Sequence, residues 1–377
     1  MTKRSLSICH VTIGHSPTDD RIYYKEVLTL SKWYQHISLI APNRGCPKPA
    51  AGVSFHLFTD DRILRNLFRA YQLSKKVRAD LYHIHEFEFL PFALVLKYKY
   101  GKKIIYDAHE TVYFFFTEFS RHSKWFTFIP AVIAQALEWG CSLFTDYVIA
   151  VTPWVAKGFK PFHKKITLIY NYPIVPMFDQ PAAKPTDHTR LIILYHGQLV
   201  PARNIHVMVE AMRNVKISFP IARLVIVGSI MPHYREQLDQ IVKMYNLEDV
   251  VEFRPLIPYT EVPQLISTAT IGLSSMCPNE SFKRSIQIKP FEFMSAGISV
   301  LGCRVPSTEI YIEQTGSGML VDPPTPEKLA EIIMLLLSKP ELRQKMGANG
   351  KLAVREQYNW SKMEEPLDRI YRQVLRC

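Results

Sequence analysis

The sequence predicts an α/β protein built from two layered domains, each with a mostly parallel sheet. In the first half, short β-branched or apolar runs alternate with stretches whose apolar residues recur at helical spacing. The aperiodic stretch Tyr172–Thr189 carries Pro173, Pro176, Pro181 and Pro185, which favour an extended linker. The alternation then restarts and runs to the end. A chain of 377 residues is also too long for one ordinary core.

Leu6–Thr12 reads as the first strand, followed by a polar loop over residues 14–20 and a helix over Arg21–Tyr34, with Ile22, Val27, Leu28 and Leu30 on one face. His36–Ala41, Leu81–Ile84, Lys103–Tyr106, Tyr147–Val151 and Ile166–Ile169 continue the strand series. The first domain is assigned to residues 1–180. After the linker, strands are predicted at Leu191–Tyr195, Leu224–Val227, Val250–Phe253, Ile271–Leu273, Ser299–Leu301 and Met319–Val321. Helices fill Ile205–Asn214, Tyr234–Tyr245, Val262–Ala269, Phe291–Ala296 and Glu327–Leu337. The second domain is assigned to 190–361, and a terminal helix at Lys362–Leu375, within residues 362–377, is expected to pack back on the first. In open α/β sheets ligands bind at the carboxyl ends of strands, so a cleft between the domains is the expected site.

Hydrophobic content of 47% with 21% charged residues is that of a globular protein. Six cysteines, at 9, 46, 141, 277, 303 and 377, form no C-x-x-C pair and no metal-ligand spacing, which points to a reducing compartment. The N-terminal apolar run is too short for a signal-peptide core, and the apolar region Phe126–Val151 is broken by Gln135, Glu138 and Asp146. A cytoplasmic protein is expected, peripheral at the inner face of the plasma membrane. Net charge is +12, and the imbalance sits in residues 1–185, with 24 Lys+Arg against 14 Asp+Glu; the remainder holds 22 against 20. A basic first half suits an anionic partner.

The stretch from Ser285 to Val300 carries the most chemical information. It reads as polar loop, helix, glycine stop and strand, with Pro290 in the first helical turn and Gly297 at the stop. Lys289 and Glu292 are three apart and share a helix face. A lysine at a helix start suits a pyrophosphate, and a carboxylate one turn on can accept hydrogen bonds from ribose hydroxyls.

Lys-Pro-Phe-Glu-Phe-Met-Ser-Ala-Gly-Ile-Ser-Val, residues 289–300, resembles the K-x-F-E-Y-M-A-x-G-x-P-V segment of glycosyltransferase family 4. Further segments are similar to the family's in order: Cys9–Thr12 with His15, Asp20-Arg21-Ile22 and Lys25-Glu26; His83-Ile84-His85-Glu86; Ile105–Glu110; Tyr195–Leu199 with Arg203-Asn204; Leu224–Gly228; Val251–Phe253; and Thr270–Leu273. The resemblance covers nearly the whole chain. It implies the GT-B fold, two Rossmann-like domains facing each other across a cleft, and a retaining enzyme that uses a nucleotide-sugar donor.

The resemblance also implies roles. Arg203 and Lys289 would neutralise the departing diphosphate, and His109 would contact the transferred sugar; these three are the catalytic candidates. Gly14, Gly197, Gly228, Arg284 and Glu292 are donor-site candidates, with Glu292 on the ribose. The loop 255–258 would line the base pocket. His15, Asp20, Arg21 and Glu86 are acceptor candidates, while Glu86, Asp107 and Glu110 can equally be structural hydrogen-bond acceptors. Three positions depart from the family: Arg284 stands where many members carry the first glutamate of E-x7-E, with Glu280 four residues further back, Asn204 replaces a glycine, and Gln198 an arginine. No Asp-x-Asp occurs, so a metal-bridged diphosphate is not expected, and neither a metal nor any other cofactor is expected in the protein.

Aromatic and basic residues interleave from Tyr113 to Phe128, with Lys97, Lys99, Lys102 and Lys103 just before. That mixture suits an anionic membrane interface. The expected acceptor is therefore a glycan or a polyprenyl-diphosphate-linked sugar, and the product an envelope or capsular polysaccharide precursor. The alternatives are a sugar-nucleotide epimerase on the same fold, or a non-catalytic protein that binds nucleic acid or a partner. No nucleic-acid-binding signature accompanies the basic charge, so nucleic acid is not the expected partner.

Overall fold

The computed structural model describes residues 3–45, 49–119, 124–179, 191–274 and 277–376, with the side chains at 115, 118, 119 and 124–126 left aside. Its contacts separate into two units, Met1–Asn171 together with Trp360–Cys377, and Tyr172–Asn359. The division falls at Asn171/Tyr172, the first residue of the proline-rich stretch; residues 180–190 of that stretch lie outside the described residues.

In the first unit seven parallel strands are ordered β3-β2-β1-β4-β5-β6-β7. They are β1 Arg4–Val11, β2 Tyr34–Pro42, β3 Val53–Phe58, β4 Leu81–Ile84, β5 Lys103–Ala108, β6 Tyr147–Ala150 and β7 Ile166–Leu168. β4, β5 and β6 are buried along nearly their whole length, as parallel strands covered on both faces require. The direction of strand addition reverses between β1 and β4, which makes their carboxyl ends a topological switch point. β3 is an edge strand whose apolar residues alternate with Ser54 and His56, and it was not read from the sequence.

The helix expected over Arg21–Tyr34 is shorter and of another kind. Asp20–Val27 is π-helical, one turn at Leu28–Leu30 follows, and Tyr34 already belongs to β2. Asp19 starts it by accepting hydrogen bonds from the amides of Arg21 and Ile22. The wider i→i+5 coil stacks residues five apart. Arg21 thus meets Glu26 at 3.0 Å and Lys25 meets Asp20 at 2.9 Å. The C-terminal helix Ser361–Leu375 closes this unit through Arg4–Asp368 (2.7 Å), Trp360 Nε1 donating to Thr29 (2.8 Å), and Tyr371 against His83.

The second unit holds six parallel strands in the order β10-β9-β8-β11-β12-β13. They are β8 Leu191–His196, β9 Ala222–Val227, β10 Val251–Arg254, β11 Ile271–Leu273, β12 Val300–Cys303 and β13 Gly318–Val321. Its switch point lies between β8 and β11. The helix Lys289–Ser295 begins with Pro290 in its first turn and ends as expected on Gly297, at φ 75°. The Gly297 amide bonds Met294 O and the Ile298 amide bonds Phe293 O, the paired bonds of a Schellman stop. The helix Pro340–Glu356, which was not read from the sequence, contains Gly347 and Gly350, residues that elsewhere mark turns. They are packing residues instead: a Cβ on Gly347 would lie 1.9 Å from Gly297 O, and one on Gly350 2.9 Å from Met294 Cγ. The helix carrying Lys289 and Glu292 is thereby clamped from behind.

Candidate functional site

In the second unit the carboxyl end of β8 runs through Tyr195, His196 and Gly197. Gly197 has φ +126°, a conformation that side chains rarely adopt, and its Cβ position is filled by the end of Lys289, with Cε at 2.3 Å and Nζ at 2.7 Å. Lys289 therefore lies across the bare backbone of the turn after β8. One helical turn on, Glu292 is 3% exposed, and its Oε2 is 3.4 Å from His196 Nε2. Burial, reinforced by the Lys289 charge, pulls His196 down to about 3, so its imidazole is neutral. Gly228, after β9, serves the same turn from behind: a Cβ there would lie 1.7 Å from Gly197 O. Gly228 is thus required for close backbone packing against the turn that carries Gly197.

Arg203 ends a short 3-10 turn, and Asn204 follows at φ 53°, ψ 43°. This left-handed position explains why a glycine is usual there and why asparagine can replace it. The Arg203 guanidinium sits over Phe282 at 5.2 Å, and its Nε is buried without a hydrogen bond among the described residues. Phe282 belongs to the helix Glu280–Arg284, in which Arg284 Nη1 bonds Glu280 Oε2 at 2.5 Å and Lys283 bonds Oε1 at 2.7 Å. Those two hydrogen bonds draw the Glu280 carboxyl down to about 2. Arg284 is thus tied to Glu280, the carboxylate four residues before it. The loop 255–258 is largely exposed, and Leu256 is bared to solvent.

In the first unit the turn after β1 is closed from within. The Glu86 carboxylate accepts hydrogen bonds from Thr12 Oγ1 (2.5 Å), the Ile13 amide (3.0 Å) and the Gly14 amide (3.0 Å). Gly14 and Glu86 therefore satisfy each other within this turn. His15 Nδ1 is 2.9 Å from Asp19 Oδ2 and Nε2 is 3.9 Å from Glu86. Burial opposes its charge, but Asp19 and Glu86 outweigh burial and raise it to about 9.

Arg21, expected among the acceptor residues, is 3% exposed. It grips Asp107 in a bidentate pair at 3.0 Å, Glu26 at 3.0 Å and the Ile169 carbonyl at 3.1 Å. Its donors are committed to the interior, and an acceptor role is corrected to a structural one. Asp20 is paired with Lys25. His109 stands at the edge of the same network, with Nε2 2.9 Å from Asp107 Oδ2 and 3.3 Å from His85 Nδ1, and its side chain 19% exposed. Burial disfavours the Asp107 anion, yet Arg21, His109 and His85 hold it well below the usual carboxylate range.

Two groups were missed as site residues. His196 follows directly from the β8 strand and could have been marked by its place beside Gly197. His10, His83 and His85 were quoted only as motif letters; their alternation on β1 and β4 was the available signal, and the structure joins them under Glu26.

Comparison with known proteins follows the same division. Residues 177–353 match the model of glycosyl transferases group 1, and residues 21–172 match that of Glycosyltransferase Family 4. Spore coat protein SA of Bacillus subtilis is 23% identical over 189 residues, 49% of each chain. The chain spans about half the length of the curated relatives it matches. Sucrose-phosphate synthase of Thermosynechococcus elongatus superposes with a TM-score of 0.78 at 18% identity, over 98% of this chain and 99% of that one. Anabaena HepE, solved with UDP and glucose, gives 0.73 at 16% identity, over 97% and 98%. The fold is GT-B, and with both family models matched in order along one polypeptide, the chain belongs to glycosyltransferase family 4.

Proposed function

We propose that the protein is a retaining glycosyltransferase that moves a sugar from a nucleotide-sugar to a glycan or lipid-linked acceptor, in envelope or capsular polysaccharide synthesis. The observation that carries the donor half is the Lys289 ammonium laid over the side-chain-free turn at Gly197, with Glu292 one turn further along the same helix. A cation over open backbone suits a diphosphate, and the neighbouring carboxylate suits the ribose. Lys289 and Arg203 take the charge that a bridging metal carries elsewhere. His109 hydrogen-bonds the transferred sugar. The leaving phosphate oxygen accepts the acceptor's proton, so no protein nucleophile is used. HepE, a fold neighbour solved with UDP and with UDP-glucose, makes uridine nucleotides the first donors to try.

The membrane half rests on the helix Lys124–Ser142, which bares Phe128, Ile129, Val132, Ile133 and Leu137. Such a row suits insertion at a lipid interface. The cations expected beside it are partly engaged: Lys97 and Lys103 hold Asp146 at 3.0 and 3.6 Å, and Lys102 bonds the Arg78 carbonyl. Much of the aromatic run, including Phe115, Phe119, Arg121, Lys124, Trp125 and Phe126, lies outside the described side chains.

A thermal-shift screen against nucleoside diphosphates and their sugars tests the donor assignment. One nucleotide should stabilise the wild type and fail to stabilise folded Lys289→Ala and Glu292→Ala. Absence of stabilisation by every nucleotide sinks it. With a donor in hand, the anomeric configuration of the product by NMR decides retention. Flotation with anionic vesicles at low salt decides membrane binding.

A further inference from the structure

The face of the first sheet under the π-helix is not apolar. His10 on β1 is in register with His83 on β4, and His85 lies two residues on, on the same face. Glu26 comes down onto them from the π-helix. All four are buried, at 0% exposure for His10, Glu26 and His83 and 3% for His85. Buried polar groups are costly unless their bonding capacity is used. Here it is used in part: His10 and His85 bond each other, and Glu26 Oε1 pairs with Arg21 while its carboxyl also interacts with Asp107, but Glu26 Oε2 and His83 Nε2 have no hydrogen bond among the described residues.

We propose that His10, Glu26, His83 and His85 form a buried structural site for a divalent transition metal, zinc fitting its nitrogen-rich ligand set. His10 Nδ1 and His85 Nε2 are 3.0 Å apart, and Glu26 Oε2 is 3.9 Å from each and from His83 Nδ1. One ligand atom from each residue lies within 4.8 Å of all the others. Tetrahedral zinc with bonds of about 2.0–2.1 Å needs ligand atoms about 3.4 Å apart, which these separations bracket. Three imidazoles and one carboxylate suit zinc over calcium or magnesium, which prefer oxygen.

The outer partners are in place. Beyond His85, Nδ1 faces Asp107 Oδ2 at 3.6 Å, the carboxylate–histidine arrangement that orients metal ligands. Beyond His10, Nε2 faces the Tyr371 hydroxyl at 3.4 Å. That hydroxyl oxygen lies 2.5 Å from His83 Nδ1, so binding by the fourth ligand atom requires the Tyr371 phenol to shift off His83 toward His10 Nε2. Glu26 keeps Oε1 on Arg21 and offers Oε2. A second group, His85, Asp107 and His109, is less suited, because Asp107 is already held by both arms of Arg21. The ion would join β1, β4 and the π-helix; its role is to hold the first unit together.

The test uses the untagged full chain, stripped with a chelator, exposed to zinc, desalted and measured by plasma mass spectrometry. About one zinc per chain is expected, with a rise in Tm on reloading. Cobalt in its place should give the intense visible bands of a tetrahedral site. His10→Asn and Glu26→Gln should lose the metal, and His109→Asn should keep it. Folded wild type that retains no zinc after exposure overturns the proposal. So does metal lost from His109→Asn but kept by His10→Asn. If the variants do not fold, the wild-type stoichiometry and cobalt spectrum decide alone.

Discussion

Replacing Gly197 by alanine separates the two things this position does. An alanine Cβ would sit 2.3 Å from Lys289 Cε and 2.7 Å from Nζ, against ordinary contacts near 3.5–4.0 Å. The obstacle is the end of a flexible side chain, so the clash is relieved when the ammonium swings away by about 1 Å or more. The φ of +126° is not relieved, and strain of that kind costs about 1–3 kcal/mol. For a unit of this size that lowers Tm by about 2–12 °C. The displaced cation is the larger functional loss. A charge-assisted hydrogen bond contributes about 1.5–3 kcal/mol, so nucleoside diphosphate binding should weaken about ten- to hundredfold. Calorimetry with UDP, GDP and ADP on wild type, Gly197→Ala, Lys289→Ala and the double variant measures it. Because both changes act on one ammonium, the double variant should bind no worse than Lys289→Ala alone. Full additivity, or wild-type affinity in folded Gly197→Ala, refutes the placement of Lys289 in the site.

Gly347→Ala should be more damaging to the fold, since its Cβ would meet backbone, Gly297 O at 1.9 Å, with nothing flexible to yield. A loss of about 1–3 kcal/mol or more is expected in urea titration, and a stability equal to wild type would show that the clamp on the Lys289–Ser295 helix is absent. The His15–Asp19 pair predicts a pH dependence. His15 is raised to about 9 from an ordinary value near 6.5, so its contribution is fully present below about pH 6.5 and is lost as pH rises through about 9. Thermal stability should fall across that window, and His15→Gln should flatten the fall; an unchanged slope contradicts the pairing.

Legibility followed the local physics of each segment. β4 and β11 were read to the residue, because fully buried parallel strands are short continuous apolar runs. The helix Lys289–Ser295 was read because proline and glycine mark its ends. The apolar spacing of Ile22, Val27, Leu28 and Leu30 shows a helix over this segment but not its kind; what reveals the π-helix is the pairing of Arg21 with Glu26 and Asp20 with Lys25, five apart. Gly347 and Gly350 make the helix Pro340–Glu356 hard to read, because a glycine that admits a neighbouring helix looks the same as one that ends a helix. Within the site, Lys289, Glu292 and Gly197 come together as motif order suggests. For Arg21, Gly14 and Glu86 the sequence shows that they sit near a switch point, but not that they are already bonded to other groups.

That last distinction explains why two sheets of the same strand order should treat an anion differently. Each has a turn at the carboxyl end of its first strand, where backbone amides would greet a phosphate. In the first unit Glu86 fills that place: its carboxylate takes the amides of Ile13 and Gly14 and the Thr12 hydroxyl, and it repels a second anion. In the second unit the same turn carries Gly197 with a lysine over it and a neutral His196 below. On the proposed donor assignment, the diphosphate is therefore expected at the second unit. Glu86→Gln keeps the shape but removes the charge; with one amide oxygen left to accept, it should loosen the turn and lower Tm by a few degrees. Nucleoside diphosphate affinity should stay within about twofold of wild type, well below the tenfold that 1.4 kcal/mol would produce. Tenfold weaker binding in folded Glu86→Gln would return Gly14 and its turn to the donor site.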